Sequence, residues 1–302
     1  MSINNISKST KYSEALDKVF TQKSVTSFFK DNALQAQFVG AKTVKIPDVD
    51  FAGLVDYDRD NGFARGAFKV NHSTYELSQD RARSIIIDRE DMDETGIANL
   101  AGKILGEYVR TKVVPECDSY VLSKLFSYAT AADSKTVAYT KGNELTQLLE
   151  AINTVRKSVG YDEPLVAFVE SDFYFALENS PEISRYITVS EFKKGEINTT
   201  VKSLNGVALI PVVPERMKSA YEFSASTDVN EGGFAPAGDA KNVKLIVCPK
   251  SGAHLVQKSE KMRVFTPEQN IDADAYKFDY RIYYDVFVKK SDAENIFAVY
   301  EN

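Results

Sequence analysis

The chain has 302 residues, 43% of them hydrophobic and 26% charged, proportions of an ordinary globular protein that exclude a disordered or fibrous polymer. Its formal net charge of -6, from 43 Asp and Glu against 37 Lys and Arg, argues against a protein whose task is gripping nucleic acid through a basic face. The opening stretch MSINNISKSTKYSEALDKVF has no apolar core or small-residue cleavage site, and no apolar run approaches the ~20 residues of a membrane span. A soluble product made inside a cell is expected.

In chain order, Ala15, Leu16, Val19, Phe20, Val25, Phe28 and Phe29 recur loosely at helical spacing and predict a short, broken helix in an N-terminal arm. Val44 and Ile46 alternate with Lys45 and stop at Pro47, a strand end. From Asp48 to Gly66, glycines at 53, 62 and 66 lie among charged residues and predict a turn-rich tip. Ala67 to Leu77 alternates and Ser84 to Ile87 is β-branched, so the chain is expected to return as the second strand of a long hairpin. From Asp93 to Tyr128 one apolar stripe (Ile97, Leu100, Ile104, Leu105, Tyr108, Val113, Cys117, Val121, Leu125) predicts a long helix. Asp93 or Thr95 is its expected cap, and Pro115 should kink it or open a second helix.

A helix is predicted over Glu144 to Val159 with Gly160 as its stop, then a strand over Leu165 to Val169, then a helix capped by Ser171 or Asp172 and running through Leu177. Strand and helix alternating in this way predict an α/β layer. Gly206 to Val213 and Val243 to Cys248 read as strands buried on both faces, with a Gly-, Ser- and Ala-rich surface loop between them. Tyr276 to Val288 alternates apolar and polar residues, except at Tyr283 and Phe287, and predicts a long half-buried strand. Ile296 to Tyr300 is the last strand.

Few residues suggest chemistry. The histidines are His72 and His254, and the cysteines are Cys117 and Cys248. Cys248 with His254 would suit a metal or an activated thiol, but with no further Cys or His nearby they read as a core thiol and a surface imidazole. Both cysteines are expected to be free thiols. Asp56, Asp58, Asp60 and Gly62 resemble the start of a calcium loop, yet the required turn glycine and closing glutamate are Asn61 and Ala67. The carboxylates of DREDMDE (Asp88 to Glu94) suit the start of a helix, where they complement its dipole. No P-loop, Rossmann fingerprint or nucleophile elbow is present. No catalytic, cofactor-binding or metal-binding residue is expected, and the chain is not expected to be an enzyme.

Four segments in combination, VKIPD (Val44 to Asp48), GLVDYDRDNGF (Gly53 to Phe63), RSIIIDREDMDET (Arg83 to Thr95) and VVPECDSYVLSKL (Val113 to Leu125), resemble the major capsid proteins of tailed bacteriophages. This is the Hong Kong 97-like fold, in the branch common among phages of Gram-positive bacteria. The resemblance implies an α+β chain with an N-terminal arm (1–42), an extended E-loop hairpin (43–88) and a peripheral domain with a spine helix (89–137). An axial α/β domain (138–250), long peripheral strands (251–290) and a C-terminal strand that rejoins the axial domain (291–302) follow. It also implies self-assembly as hexamers and pentamers into an icosahedral head that encloses double-stranded DNA without sequence-specific binding. The implied partners are other copies of the chain, a separate scaffolding protein and a portal protein at one vertex, with no membrane. The implied location is the virion, after assembly in the host cytoplasm. Asp56, Asp58, Arg59, Asp60 and Arg65, at the E-loop tip, are the expected charged contacts to a neighbouring subunit. The alternatives are an encapsulin-like nanocompartment shell, a tail-tube or other virion protein, and an enzyme with a diffuse acidic site whose turnover is lost on changing Asp88 or Asp91. Electron microscopy, the identity of any cargo and a turnover assay would separate them.

Overall fold

The structure is a computed structural model that describes residues 16, 19–32, 37–38, 42–57, 59, 68–90, 101–131, 135–180, 187–194, 197–224, 231–259 and 263–301. Strands β1 (Gln37–Phe38), β2 (Thr43–Phe51) and β3 (Phe68–Glu76) form an antiparallel sheet in that order. β2 and β3 are a hairpin in continuous register from Thr43 opposite Glu76 to Phe51 opposite Phe68. β4 (Gln79–Asp88) was expected to prolong the returning strand. It belongs instead to a different sheet, antiparallel to the long C-terminal strand, with Ala275 to Tyr284 opposite Asp88 to Gln79.

A helical run over residues 101–131, α1, follows, comprising Ala101–Tyr108, a π-helical turn Val109–Val113, and Val114–Ala131. The chain neither stops nor restarts at Pro115. Proline has no N–H for the carbonyl four residues back and its ring clashes there. The turn just before it is widened so that the Val114 N–H donates to the Val109 carbonyl, five residues back. The expected caps Asp93 and Thr95 lie outside the described residues.

β5 (Thr136–Ala138), α2 (Glu144–Val159), β6 (Leu165–Glu170), α3 (Ser171–Glu178), β7 (Ile187–Lys194), β8 (Ile197–Leu204) and β9 (Val207–Val212) come next. The cap of α3 is Glu170, whose carboxylate accepts from the Phe173 N–H, and not Ser171 or Asp172. A small hairpin of β10 (Tyr221–Phe223) and β11 (Phe234–Pro236) leads to β12 (Asn242–Pro249). β13 (His254–Ser259), β14 (Arg263–Phe265), β15 (Ala275–Phe287) and β16 (Phe297–Glu301) complete the chain.

Two sheets organise the core. The larger has seven strands in the order β5-β16-β12-β6-β9-β8-β7. Its central strand β6 is buried at every position, and period 2 divides its side chains between two layers. Val166 and Phe168 face α1, whereas Leu165, Ala167 and Val169 face α2 and α3. The smaller sheet is built around β15, with β4 on one edge and β13 and β14 in tandem along the other. Phe278, Ile282, Tyr284 and Val286 of β15 join the layer under α1. Tyr283 and Phe287, the two residues that broke the alternation of this strand, point the other way. They pack with Val44, Leu77 and Val256 beneath the base of the β2–β3 hairpin, with the Tyr75 and Phe287 rings stacked 4.6 Å apart.

The segment read as an arm is not free of the body over all its length. Leu16, Phe20, Phe28 and Phe29 are buried in the layer under α1, and the helix expected there is interrupted between a helical stretch at 19–23 and a short helix Phe29–Asn32.

Candidate assembly interface

The hairpin β2–β3 is held at its base and open at its tip. Beyond the last register pair, residues 52–57 belong to no helix or strand and are exposed. Leu54 is 105% exposed and Val55 68%, with Tyr57 and Phe68 at 60% and 65%. An apolar side chain left in water at such a site forgoes about 1.5–3 kcal/mol of burial. Of the charged residues expected to contact a neighbour, Asp56 and Arg59 are exposed on this tip, so Asp56 stands beside Leu54 and Val55. Asp58, Asp60 and Arg65 lie outside the described residues. The apolar members of the tip were not singled out from sequence. Their signal was present in GLVDY, an apolar pair inside a turn-rich stretch that has no core to enter.

Next to the hairpin's root, charged pairs brace β4 within the smaller sheet and against α1. Arg281 donates to both oxygens of Asp80 at 3.0 Å and holds that carboxyl below the usual carboxylate range. Arg81 donates to Glu116 at 2.7 Å and to the carbonyls of Ser224 and Gly233, joining β4 to α1 and to the end of the small β10–β11 hairpin. Asp285, nearly buried, accepts from the Tyr120 hydroxyl at 2.8 Å and from the Ser78 N–H at 2.9 Å. It thereby fixes the two-residue link between β3 and β4. These polar partners lie as much as 207 residues apart in sequence, so no local motif announces them.

A cleft of about 920 Å³ lies between α1, β4 and β15, with Arg81, Tyr108, Glu116, Arg216 and Tyr284 on its walls. Of the charged groups on its walls, Arg81 pairs with Glu116 and Arg216 pairs with Asp118. Both cysteines are buried free thiols. Burial pushes the Cys117 thiol well up and that of Cys248 up to about 12, so neither is a nucleophile near neutral pH. His254 is not the surface imidazole expected. It is partly buried, its Nδ1 donates to the Asn32 carbonyl at 2.9 Å, and burial lowers its pKa. Among the described residues no three His, Cys, Asp or Glu side chains cluster to hold a metal ion, and no helix is long and apolar enough to cross a membrane.

This architecture defines a class: the mixed helix and sheet fold of tailed-phage capsid proteins. Solved structures place the chain there. The capsid of cyanophage P-SCSP1u aligns with a TM-score of 0.56 at 14% identity, covering 88% of this chain and 85% of that one. A chain of Gordonia phage Cozz aligns with a TM-score of 0.56 at 13% identity, covering 91% and 86%. The mature capsid of bacteriophage PhiM1 aligns with a TM-score of 0.53 at 14% identity, covering 87% and 82%. Compared by sequence, the chain matches no family model and no curated protein.

Proposed function

We propose that the chain is a major capsid protein, a non-enzymatic subunit that assembles with copies of itself as hexamers and pentamers into a closed head around double-stranded DNA. In this reading the seven-stranded sheet with α2 and α3 is the axial domain, α1 with the smaller sheet is the peripheral domain, and the β2–β3 hairpin is the E-loop. A separate scaffolding protein and a portal protein at one vertex are its other partners. The observation that carries the reading is the hairpin tip. In a chain with a capsid-protein fold, Leu54 and Val55 stand in solvent beside Asp56 and Arg59, a composition that a neighbouring subunit would cover. Heterologous contacts that repeat around a ring close the shell, and each contact can be weak because every subunit is held by several neighbours at once.

The test is electron microscopy of the purified chain with and without its scaffold. Closed shells are expected from the parent chain. A variant lacking residues 54–66 should keep the folded signature of the parent in circular dichroism yet form no stable shells. Normal, equally stable shells from that variant would remove the hairpin tip from the mechanism, and open tubes from the parent would point to a tail-tube subunit.

A further inference from the structure

Residues 24–32 cross three parts of the molecule and are pinned at both ends. At the first end they meet Asp118 of α1, which is fully buried. Its carboxylate accepts from the Ser24 hydroxyl at 2.6 Å, the Thr26 hydroxyl at 2.7 Å, and the Val25 and Thr26 N–H groups at 3.1 and 3.2 Å. In the middle, Phe28 and Phe29 are fully buried, each ring 6.1 Å from that of Phe168 on β6. At the far end, the Asn32 amide donates to the carbonyls of Lys250 at 2.7 Å and Ala253 at 2.8 Å, while its own carbonyl accepts from His254.

Lys250 to Ala253 is not an arbitrary surface turn. It is the crossover by which the chain leaves β12 of the seven-stranded sheet and enters β13 of the smaller one. The turn is tight: the Gly252 N–H donates to the Pro249 carbonyl, and a Cβ at Gly252 would meet Pro249 at 3.3 Å. One asparagine therefore fastens the hinge between the two sheets to a segment whose other end is fastened to the helix lying on both.

We propose that residues 24–32 are a strap that sets the angle between the two sheets, with Asn32 as the pin at the hinge and Asp118 as the anchor on the helix. Both are positioning residues. In a closed shell the copies of a subunit occupy unlike surroundings, and the angle between its two sheets is a natural coordinate of adjustment. The strap bounds that angle. This last consequence rests on the shell reading above; the strap itself does not.

The experiment has two arms. In the first, hydrogen exchange of the unassembled chain is compared for the parent, Asn32→Ala and the milder Asn32→Ser. Losing the two amide bonds should speed exchange over 24–32 and 250–254 by about tenfold, the equivalent of one net hydrogen bond, with α2 unchanged. Unchanged exchange in both segments overturns the strap, and so does a uniform rise over the whole chain. In the second arm, particle diameters are measured by electron microscopy, and the Asn32 variants should give a broader distribution than the parent. Faster exchange with parent-like diameters overturns control of the angle and leaves the shell function standing. A parent chain that never forms closed particles defeats the shell function, while the exchange arm still decides the strap.

Discussion

Asp118 shows how much one side chain can carry. Replacing it with alanine leaves the hydroxyls of Ser24 and Thr26 and two N–H groups buried without their acceptor, at about 1–3 kcal/mol for each group left unmade. Relaxation lets some of them find other acceptors, so a net loss of about 3 kcal/mol is expected in urea denaturation of the unassembled chain. Asp118→Asn, which keeps one accepting oxygen, should lose distinctly less. The thiols give a chemical check at the same scale. With the Cys248 thiol pushed up to about 12, only about one molecule in ten thousand carries its thiolate at pH 8. Alkylation of native chain should be negligible there and go to completion at both cysteines in denaturant; rapid labelling of native chain would contradict the buried placement. The sequence already implied the state of Cys248, because an apolar strand surrounds it. It did not imply that of His254, because Asn32, which buries and bonds it, lies 222 residues away.

Among the elements, those governed by local rules were legible. α2 has the predicted bounds, since its apolar spacing, its start and its glycine stop all lie within one short window. Gly160 has φ +94° and ψ -179°, a conformation reserved essentially for glycine. Gly160→Ala should therefore destabilise the chain by about 1–3 kcal/mol, read from the shift in denaturation midpoint, with the helical signal retained. Nothing local distinguishes β4 from a continuation of β3. The link Leu77–Ser78 contains neither glycine nor proline, and what defines it, Asp285 bonding Ser78 and β15 pairing beyond, comes from the far end of the chain. At Pro115 the backbone forms a π turn in place of an interruption. In that turn both Val109 and Val113 are buried.

At the scale of the molecule, buried hydroxyls and thiols shape the response to alkali. Burial holds Tyr221 and Cys248 up to about 12 and raises Tyr120, Tyr139 and Tyr284 above the ordinary tyrosine range as well. In the unfolded chain the same groups ionise near their ordinary values, 9.0 for Cys248 and 10.0 for Tyr221. The folded state thus keeps protons that the unfolded state gives up, so the stability these groups contribute is complete below pH 9 and is lost as pH rises towards 12. A urea midpoint that falls steeply above about pH 10 is the expected result, and a midpoint insensitive to alkali would refute the burial of these side chains. The general architecture was legible because apolar runs and their periods mark layers whatever their partners. The role proposed for the tip rests, from sequence, only on its charges; Leu54 and Val55 join that proposal through their exposure in the structure.

The central position of β15 has a consequence for time as well as space. Its first residue follows 274 others, yet β4 finds its edge partner there, and the hairpin base of Val44 and Leu77 rests on Tyr283 and Phe287. The hairpin is synthesised early and seated late. A nascent chain on the ribosome has the tip but not the platform that aims it, and contacts so distant in sequence form slowly. Only a finished chain holds its hairpin in place, and under the proposed shell function that order would keep unfinished chains out of the growing lattice.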